Sequence, residues 1–272
     1  MSPAFWRRIR PTQRGIVVIW LITSLTGVGI SQFFDLGKLL LFFAGTFLAL
    51  VAERLFEDWV RPEGTRGSFR WFTVVSGVSV LTLAMLVHLY SLVFLIPLGG
   101  VAFLLVILPP LAQYRFGSRV GGEYLGIAGL TLAAPAGYYI MTGSFDLTAW
   151  MLWLTLLLYH FPTNSYIRTL LSEMKVEFAE LKTDSAKSKP KRMTAYWLSI
   201  LQHVLSLGVA GFLTAARLIP PFTILAFSVF SARLVRVGRR KTYTSAVLRV
   251  GLRESMFLAV FSAILILSYK LG

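Results

Sequence analysis

Apolar stretches of about twenty residues recur from one end of the chain to the other, and this recurrence limits the fold more than any other feature. A hydrocarbon core of about 30 Å needs about 20 predominantly apolar residues to cross as a helix. Runs of that kind lie near 15–33, 38–56, 71–89, 92–112, 121–141, 147–163, 195–215, 222–236 and 250–269. Inside lipid a helix bonds its backbone N–H and C=O groups within the segment itself. The predicted fold is all-α: a polytopic bundle of about nine transmembrane helices in a single integral membrane domain, residues 1–272.

Charge supports this reading. Only 14% of the 272 residues are charged and 56% are hydrophobic, whereas soluble chains are about a quarter charged. The 21 Phe, 10 Tyr and 7 Trp suit lipid-facing surface and interfacial belts. A net charge of +15 would suggest nucleic acid in a soluble protein. Here it follows from the enrichment of Lys and Arg in cytoplasmic loops, and no nucleic-acid partner is expected. The absence of Cys excludes disulfides and thiolate metal sites. Arg7, Arg8, Arg10 and Arg14 precede the first apolar run, which has no small-residue cleavage site and reads as a retained span.

Nine spans place the termini on opposite sides. With the N-terminus cytoplasmic and the C-terminus outside, the outer side holds Lys38, Arg217 and Lys270 of the 27 Lys and Arg, and Arg253 falls within the last span. This asymmetry predicts orientation in the cell (inner, cytoplasmic) membrane. Pro97, Gly99, Gly100, Pro109 and Pro110 are expected to kink or end the fourth span. In the fifth span Gly126, Gly129 and Gly137 are expected to admit close neighbours. Residues 164–192 are the longest polar segment. Ile167, Leu170, Leu171, Met174, Phe178 and Leu181 have helical spacing, predicting a cytoplasmic amphipathic helix, and Lys182 to Arg192 read as a mobile basic linker able to meet an anionic lipid surface.

Four groups of polar residues are candidates for chemistry. The stretch from Gly37 to Arg70 carries charge straight out of an apolar helix, through Glu53, Arg54, Glu57 and Asp58. Glu53 and Glu57 share a face. They could form a wall of a polar cavity, with carboxylates for a proton or for Mg2+, which favours hard oxygen ligands. The alternative is a helix end whose charges snorkel and pair with one another. Asn164, Arg168 and Ser172 share a face just past the sixth span, either as an anion site, since the Arg fork suits phosphate, or as an N-cap and an exposed face. Pro11-Thr-Gln-Arg-Gly15 reads as a polar turn in which Gln13 and Arg14 reach a headgroup or fix topology. Arg253 and Glu254, with Gly251 beside them, enter the last span, where ionisable residues are functional candidates by default. The bland reading of that pair is mutual neutralisation. His88, His160 and His203 read as packing residues.

Pro11-Thr-Gln-Arg-Gly15, Ser165-Tyr-Ile-Arg-Thr-Leu-Leu-Ser-Glu-Met174 and Leu248-Arg-Val-Gly-Leu-Arg-Glu254, set in a nine-span layout, resemble the YwiC-like membrane protein family, which is in turn similar to UbiA-type prenyltransferases. The resemblance implies helices around a central cavity open to the bilayer, and a membrane lipid or isoprenoid as ligand. In the prenyltransferases, Asp-rich motifs after the second and sixth helices hold Mg2+ and an isoprenyl diphosphate. Here those positions map onto Glu53 and Glu57, and near Asn164 and Arg168, without the Asp-rich motifs themselves. Arg14 stands where the family's opening pattern has His. The implied function is binding of an isoprenoid or anionic-headed lipid in a cytoplasm-facing cavity, with degenerate or altered prenyl transfer. A transporter or flippase and a non-catalytic assembly partner are the alternatives, and the oligomeric state is open.

Overall fold

The computed structural model describes residues 11–60, 66–116, 119–180, 189–228, 231 and 247–272. Every regular element among them is a helix: α1 (Pro11–Ile30), α2 (Leu36–Val60), α3 (Arg66–Tyr90), α4 (Leu95–Phe116), α5 (Arg119–Thr131), α6 (Ala133–Thr142), α7 (Leu147–Glu180), α8 (Lys189–Ala215) and α9 (Val247–Leu271). Residues 223–228 are also helical. Among the described residues five segments are long and apolar enough to cross a membrane: Leu36–Val60, Gly67–Tyr90, Gly121–Thr142, Trp197–Ala215 and Val250–Leu271. Ile16–Ile30 and Leu95–Leu105 are shorter apolar helices. Large apolar side chains such as Val74, Val78, Leu81, Met85 and Leu89 on α3 are exposed. Water would leave this surface uncovered, and lipid solvates it, as expected of a multi-pass membrane protein.

Several boundaries differ from the expectations, each for a local reason. Pro11–Gly15 is the first turn of α1 rather than a separate turn, because proline at the first helical position lacks only an N–H that would be unbonded anyway. The fourth span does not end at Pro109 and Pro110, since α4 continues to Phe116. Such breaks in the hydrogen-bond ladder are tolerated in membrane helices. The fifth span is two helices, α5 and α6, meeting at Leu132. Pro135 has no N–H for the Thr131 carbonyl, and the Leu132 N–H bonds instead to Gly129 O at 3.2 Å. The sixth span and the amphipathic segment form one helix, α7, with Pro162 inside it. Of the basic linker, residues 182–188 and the side chains of 189–192 lie outside the described residues. The backbone of 189–192 is the start of α8 rather than a mobile strand of chain, again with a proline, Pro190, in the first turn.

The chain divides into two compact units, residues 16–153 and residues 1–15 with 154–272. In the first, α2 pairs with α3 and α4 with α5. Asp35 starts α2 by accepting from the Lys38 N–H at 3.1 Å, and Asp146 starts α7 by accepting from the Ala149 N–H at 3.2 Å, both as N-caps. The core joins Val28, Phe42, Leu86, Leu92, Leu98, Leu132, Ala136, Tyr139, Ile140 and Met141. Phe94 stacks on Phe145 with ring centres 4.4 Å apart, and its N–H donates to the Tyr139 hydroxyl at 3.2 Å.

The backbones of α1 and α6 approach each other closely. A Cβ on Gly27 would collide with the Ala134 carbonyl oxygen and lie 2.9 Å from Tyr138 N. A Cβ on Gly137 would lie 2.7 Å from Ser24 O. The expectation for Gly137 therefore holds, whereas a Cβ on Gly126 or Gly251 would meet nothing within 4 Å among the described residues. In the second unit Tyr159 packs on Phe261 (4.2 Å) and Tyr166 meets Arg253, so α7 and α9 run antiparallel. Phe227 packs on the edge of Phe261, and Thr223 bonds to Ser268 at 3.1 Å.

Gly27→Ala should cost about 1–3 kcal/mol through overpacking of the α1–α6 crossing. Gly77→Ala, where a Cβ meets nothing within 4 Å, should be neutral or slightly stabilising. Thermal unfolding in detergent, with light scattering as the readout, separates the two.

Candidate functional site

At the charged end of α2 one arginine is paired with two carboxylates of its own helix. Arg54 bonds to Glu57 through Nη1 and to Asp58 through Nη2, the latter at 3.1 Å. Both carboxylates sit in the last turns of α2, where the partial negative charge of the helix terminus opposes them. The Arg54 side chain, 19% exposed, offsets that repulsion. Glu53, one residue earlier, is partly buried and makes no ion pair or hydrogen bond with a described residue. Phe56, Trp59, Phe69 and Phe72 pack around this end of the α2–α3 pair, with Trp59 and Phe69 centred 4.8 Å apart.

Among the described residues this arrangement offers no site for Mg2+. No group of three or more His, Asp or Glu that could hold a metal comes together among the described residues, and Glu57 is bonded to a guanidinium rather than open to a cation. Glu63, the next carboxylate, lies outside the described residues. Pairing at a helix end accounts for Arg54, Glu57 and Asp58.

The second unit holds a different kind of polar cluster. Tyr159, Thr163 and Tyr166 follow one another at i, i+4, i+7 on α7 and are all buried. Ser199, His203 and Ser206 have matching spacing on α8 and are also buried. The Tyr166 and His203 rings meet edge to face at 6.5 Å, and His203 Nδ1 lies 2.7 Å from the Ser199 carbonyl oxygen, the packing role expected of a buried histidine. From α9, Arg253 Nη2 donates to the Tyr166 hydroxyl at 3.2 Å and approaches Glu254 Oε1 at 3.4 Å. Glu254 is 7% exposed and Arg253 41%. Nε of Arg253 is buried and has no hydrogen-bond partner.

Asn164 and Arg168 lie one turn apart on α7, as their spacing implies, and both are partly buried. Nδ2 of Asn164 is buried without a partner. Of the sequence candidates, Glu53, Arg54 and Glu57 therefore belong to one unit, and Asn164, Arg168, Arg253 and Glu254 to the other. Gln13 and Arg14 lie in the first turn of α1, and their side chains are outside the described residues.

Tyr166 is the partner that the sequence reading did not single out, and His203 reads there as a packing residue. The stripe Tyr159–Thr163–Tyr166 was visible as a polar-aromatic row at helical spacing. What it faces follows only once α7 and α9 are paired.

The cluster offers a cation with unused donors beside a buried carboxylate and a buried phenol. Such a group can bind an anion through the guanidinium edge. Comparisons with family models, with curated proteins and with solved structures find no match.

Removing the phenol of Tyr166 should cost about 1.5 kcal/mol, as for a hydrogen bond to a charged group. Tyr166→Phe and Arg253→Leu should lower the melting temperature separately. In the double variant the losses should sum to less than their total, because both remove the same contact. Strict additivity in that thermal cycle would show that the bond contributes nothing.

Proposed function

We propose that the chain is a multi-pass protein of the cytoplasmic membrane that binds an isoprenoid or another lipid with an anionic head, in a cavity facing the cytoplasmic leaflet. The observation that carries this reading is Arg253. Its guanidinium has five N–H groups, only Nη2 is engaged with described residues, and Nε is buried without a partner. A buried donor left unbonded costs free energy, and a phosphate or carboxylate oxygen would satisfy it. The unbonded amide of Asn164 and the neighbouring Arg168 support an anion in the same unit. The resemblance to YwiC-like and UbiA-type proteins is the argument for an isoprenoid tail.

Prenyl transfer through paired Mg2+ ions is not part of the proposal, because the Asp-rich motifs are missing from the sequence and no carboxylate group suited to a metal occurs among the described residues.

Native mass spectrometry with lipid extraction tests this reading. Wild-type protein should carry an isoprenoid or acidic lipid through purification. Arg253→Ala and Arg168→Ala should deplete it by about tenfold or more, the scale of losing a charge-assisted hydrogen bond. Glu53→Gln reports whether the first unit contributes. Only bulk lipid, unchanged in the variants, would remove the headgroup reading.

We further propose nine spans with the N-terminus cytoplasmic and the C-terminus outside. The absence of native Cys makes labelling direct. An impermeant maleimide on intact cells should label Ser144→Cys and leave Gly67→Cys unlabelled until the membrane is opened. The reverse pattern would invert the topology.

A further inference from the structure

We propose that the interior of the second unit is a blind, water-filled pocket. Ser199, Gln202 and Ser262 hold its water, it admits small hydrophilic solutes, and it ends at the aromatic stack of Tyr159, Phe261 and Phe227. The occupant is water, so the inference stands whether or not a lipid head binds at Arg253.

The first observation is that α8 is built inside out. Ser199, His203 and Ser206 are buried on one face, with the partly buried Gln202 among them. Leu198, Leu201, Val204, Leu205 and Phe212 lie on the other side and are exposed. The polar face meets α7, since the His203 and Tyr166 rings touch edge to face. Polar side chains turned into a membrane bundle face one another or a water-filled cavity.

The second observation is where the hydroxyls point. A serine inside a helix can bond to the carbonyl one turn back, and Ser228 and Ser255 do so at 2.9 Å. Ser199, 2% exposed, and Ser262, 4% exposed, leave that bond unmade, and both hydroxyl oxygens are buried without a partner. Oε1 of Gln202 is buried without a partner as well. Each such group costs free energy when nothing bonds to it. An anion could accept from the two hydroxyls but would repel the amide oxygen of Gln202. Water donates and accepts, so it satisfies all three.

The third observation is where the unpaired groups stop. Ser262 lies about 12 Å along α9 from Glu254. Beside it Tyr159 stacks on Phe261 at 4.2 Å and Phe227 packs on the ring edge at 5.2 Å, and all three rings are fully buried. Past this stack Leu265 is fully buried, and Thr223 and Ser268 bond to each other at 3.1 Å. Those two hydroxyls need no water, which makes the pocket blind at the stack.

The chain has no native Cys, so single cysteines can report local water. Full-length Ser199→Cys, Ser262→Cys, Leu205→Cys and Leu265→Cys are treated in native membranes with a small cationic methanethiosulfonate. The reagent attacks the thiolate, which apolar surroundings suppress. Ser199→Cys and Ser262→Cys should react faster than Leu205→Cys on the exposed face and Leu265→Cys past the stack. The expected factor is about tenfold or more, that of one unit of thiol pKa.

Rates at both serine positions as slow as at Leu265→Cys would overturn the proposal. Equal, fast rates at all four positions would overturn the blind end. Fast reaction that appears only after delipidation would give the pocket to a lipid head and overturn water as its occupant. Hydroxyl-radical footprinting by radiolysis repeats the test on the wild-type chain, free of any variant's folding. Tyr166 and His203 should be oxidised despite their burial, and Phe227 should be protected. Protection of all three would overturn the proposal.

Discussion

A polar group inside a membrane helix has no water to fall back on, and the described structure depends on how each such group is satisfied. Backbone groups are bonded within helices. Hydroxyls are mostly bonded to the carbonyl one turn earlier on their own helix: Thr23 to Ile19, Thr26 to Ile22, Thr46 to Phe42, Thr131 to Ile127, Thr163 to Tyr159, Thr169 to Ser165 and Thr214 to Ala210, at 2.6–3.0 Å. Each of these side chains can be buried without a partner from another helix. Helix-to-helix polar bonds are correspondingly few among the described residues, and those that occur, such as Ser79 to Gly45 O at 2.8 Å, mark where two helices are fixed against each other.

Self-satisfied helices still need a reason to associate, because lipid tails solvate their apolar faces as well as neighbouring helices do. Close backbone approach supplies dispersion contact that lipid does not match. Gly27 and Gly137 provide it between α1 and α6, and Gly45 provides it between α2 and α3, where a Cβ would lie 2.7 Å from Leu83. The break at Leu132 belongs to the same logic. Pro135 interrupts the ladder, and the small residues on either side of it, Ala134, Ala136 and Gly137, are buried.

The helices were legible in the sequence because length and hydropathy are local properties: α2, α3 and α9 fall within a few residues of the apolar runs that predict them. The joins were less legible. Whether Pro109 and Pro110 end a helix depends on what surrounds the freed carbonyls, and a run of letters does not carry that. Arg253 and Glu254 were legible as ionisable residues in an apolar run. Tyr166 was not, since it lies 87 positions from its partner and the contact exists only through the antiparallel pairing of α7 and α9. Gly251 shows the opposite error: a small residue beside a charge suggests close approach, yet among the described residues nothing comes within 4 Å of a Cβ placed there.

Arg54 and Arg253 show why similar charge patterns support different readings. Both are arginines on membrane helices with carboxylates nearby in sequence. Arg54 is bonded through both terminal nitrogens to two carboxylates on its own helix. An incoming anion would have to displace one of them and meet the other. Arg253 is bonded through one terminal nitrogen, to one carboxylate and a phenol from another helix. Its remaining N–H groups stay in place whether or not a ligand is present, and the Tyr166 bond fixes the plane of the guanidinium. The first arrangement uses its charge to quiet a helix end. The second holds a cation in a set orientation with donors that no described residue engages.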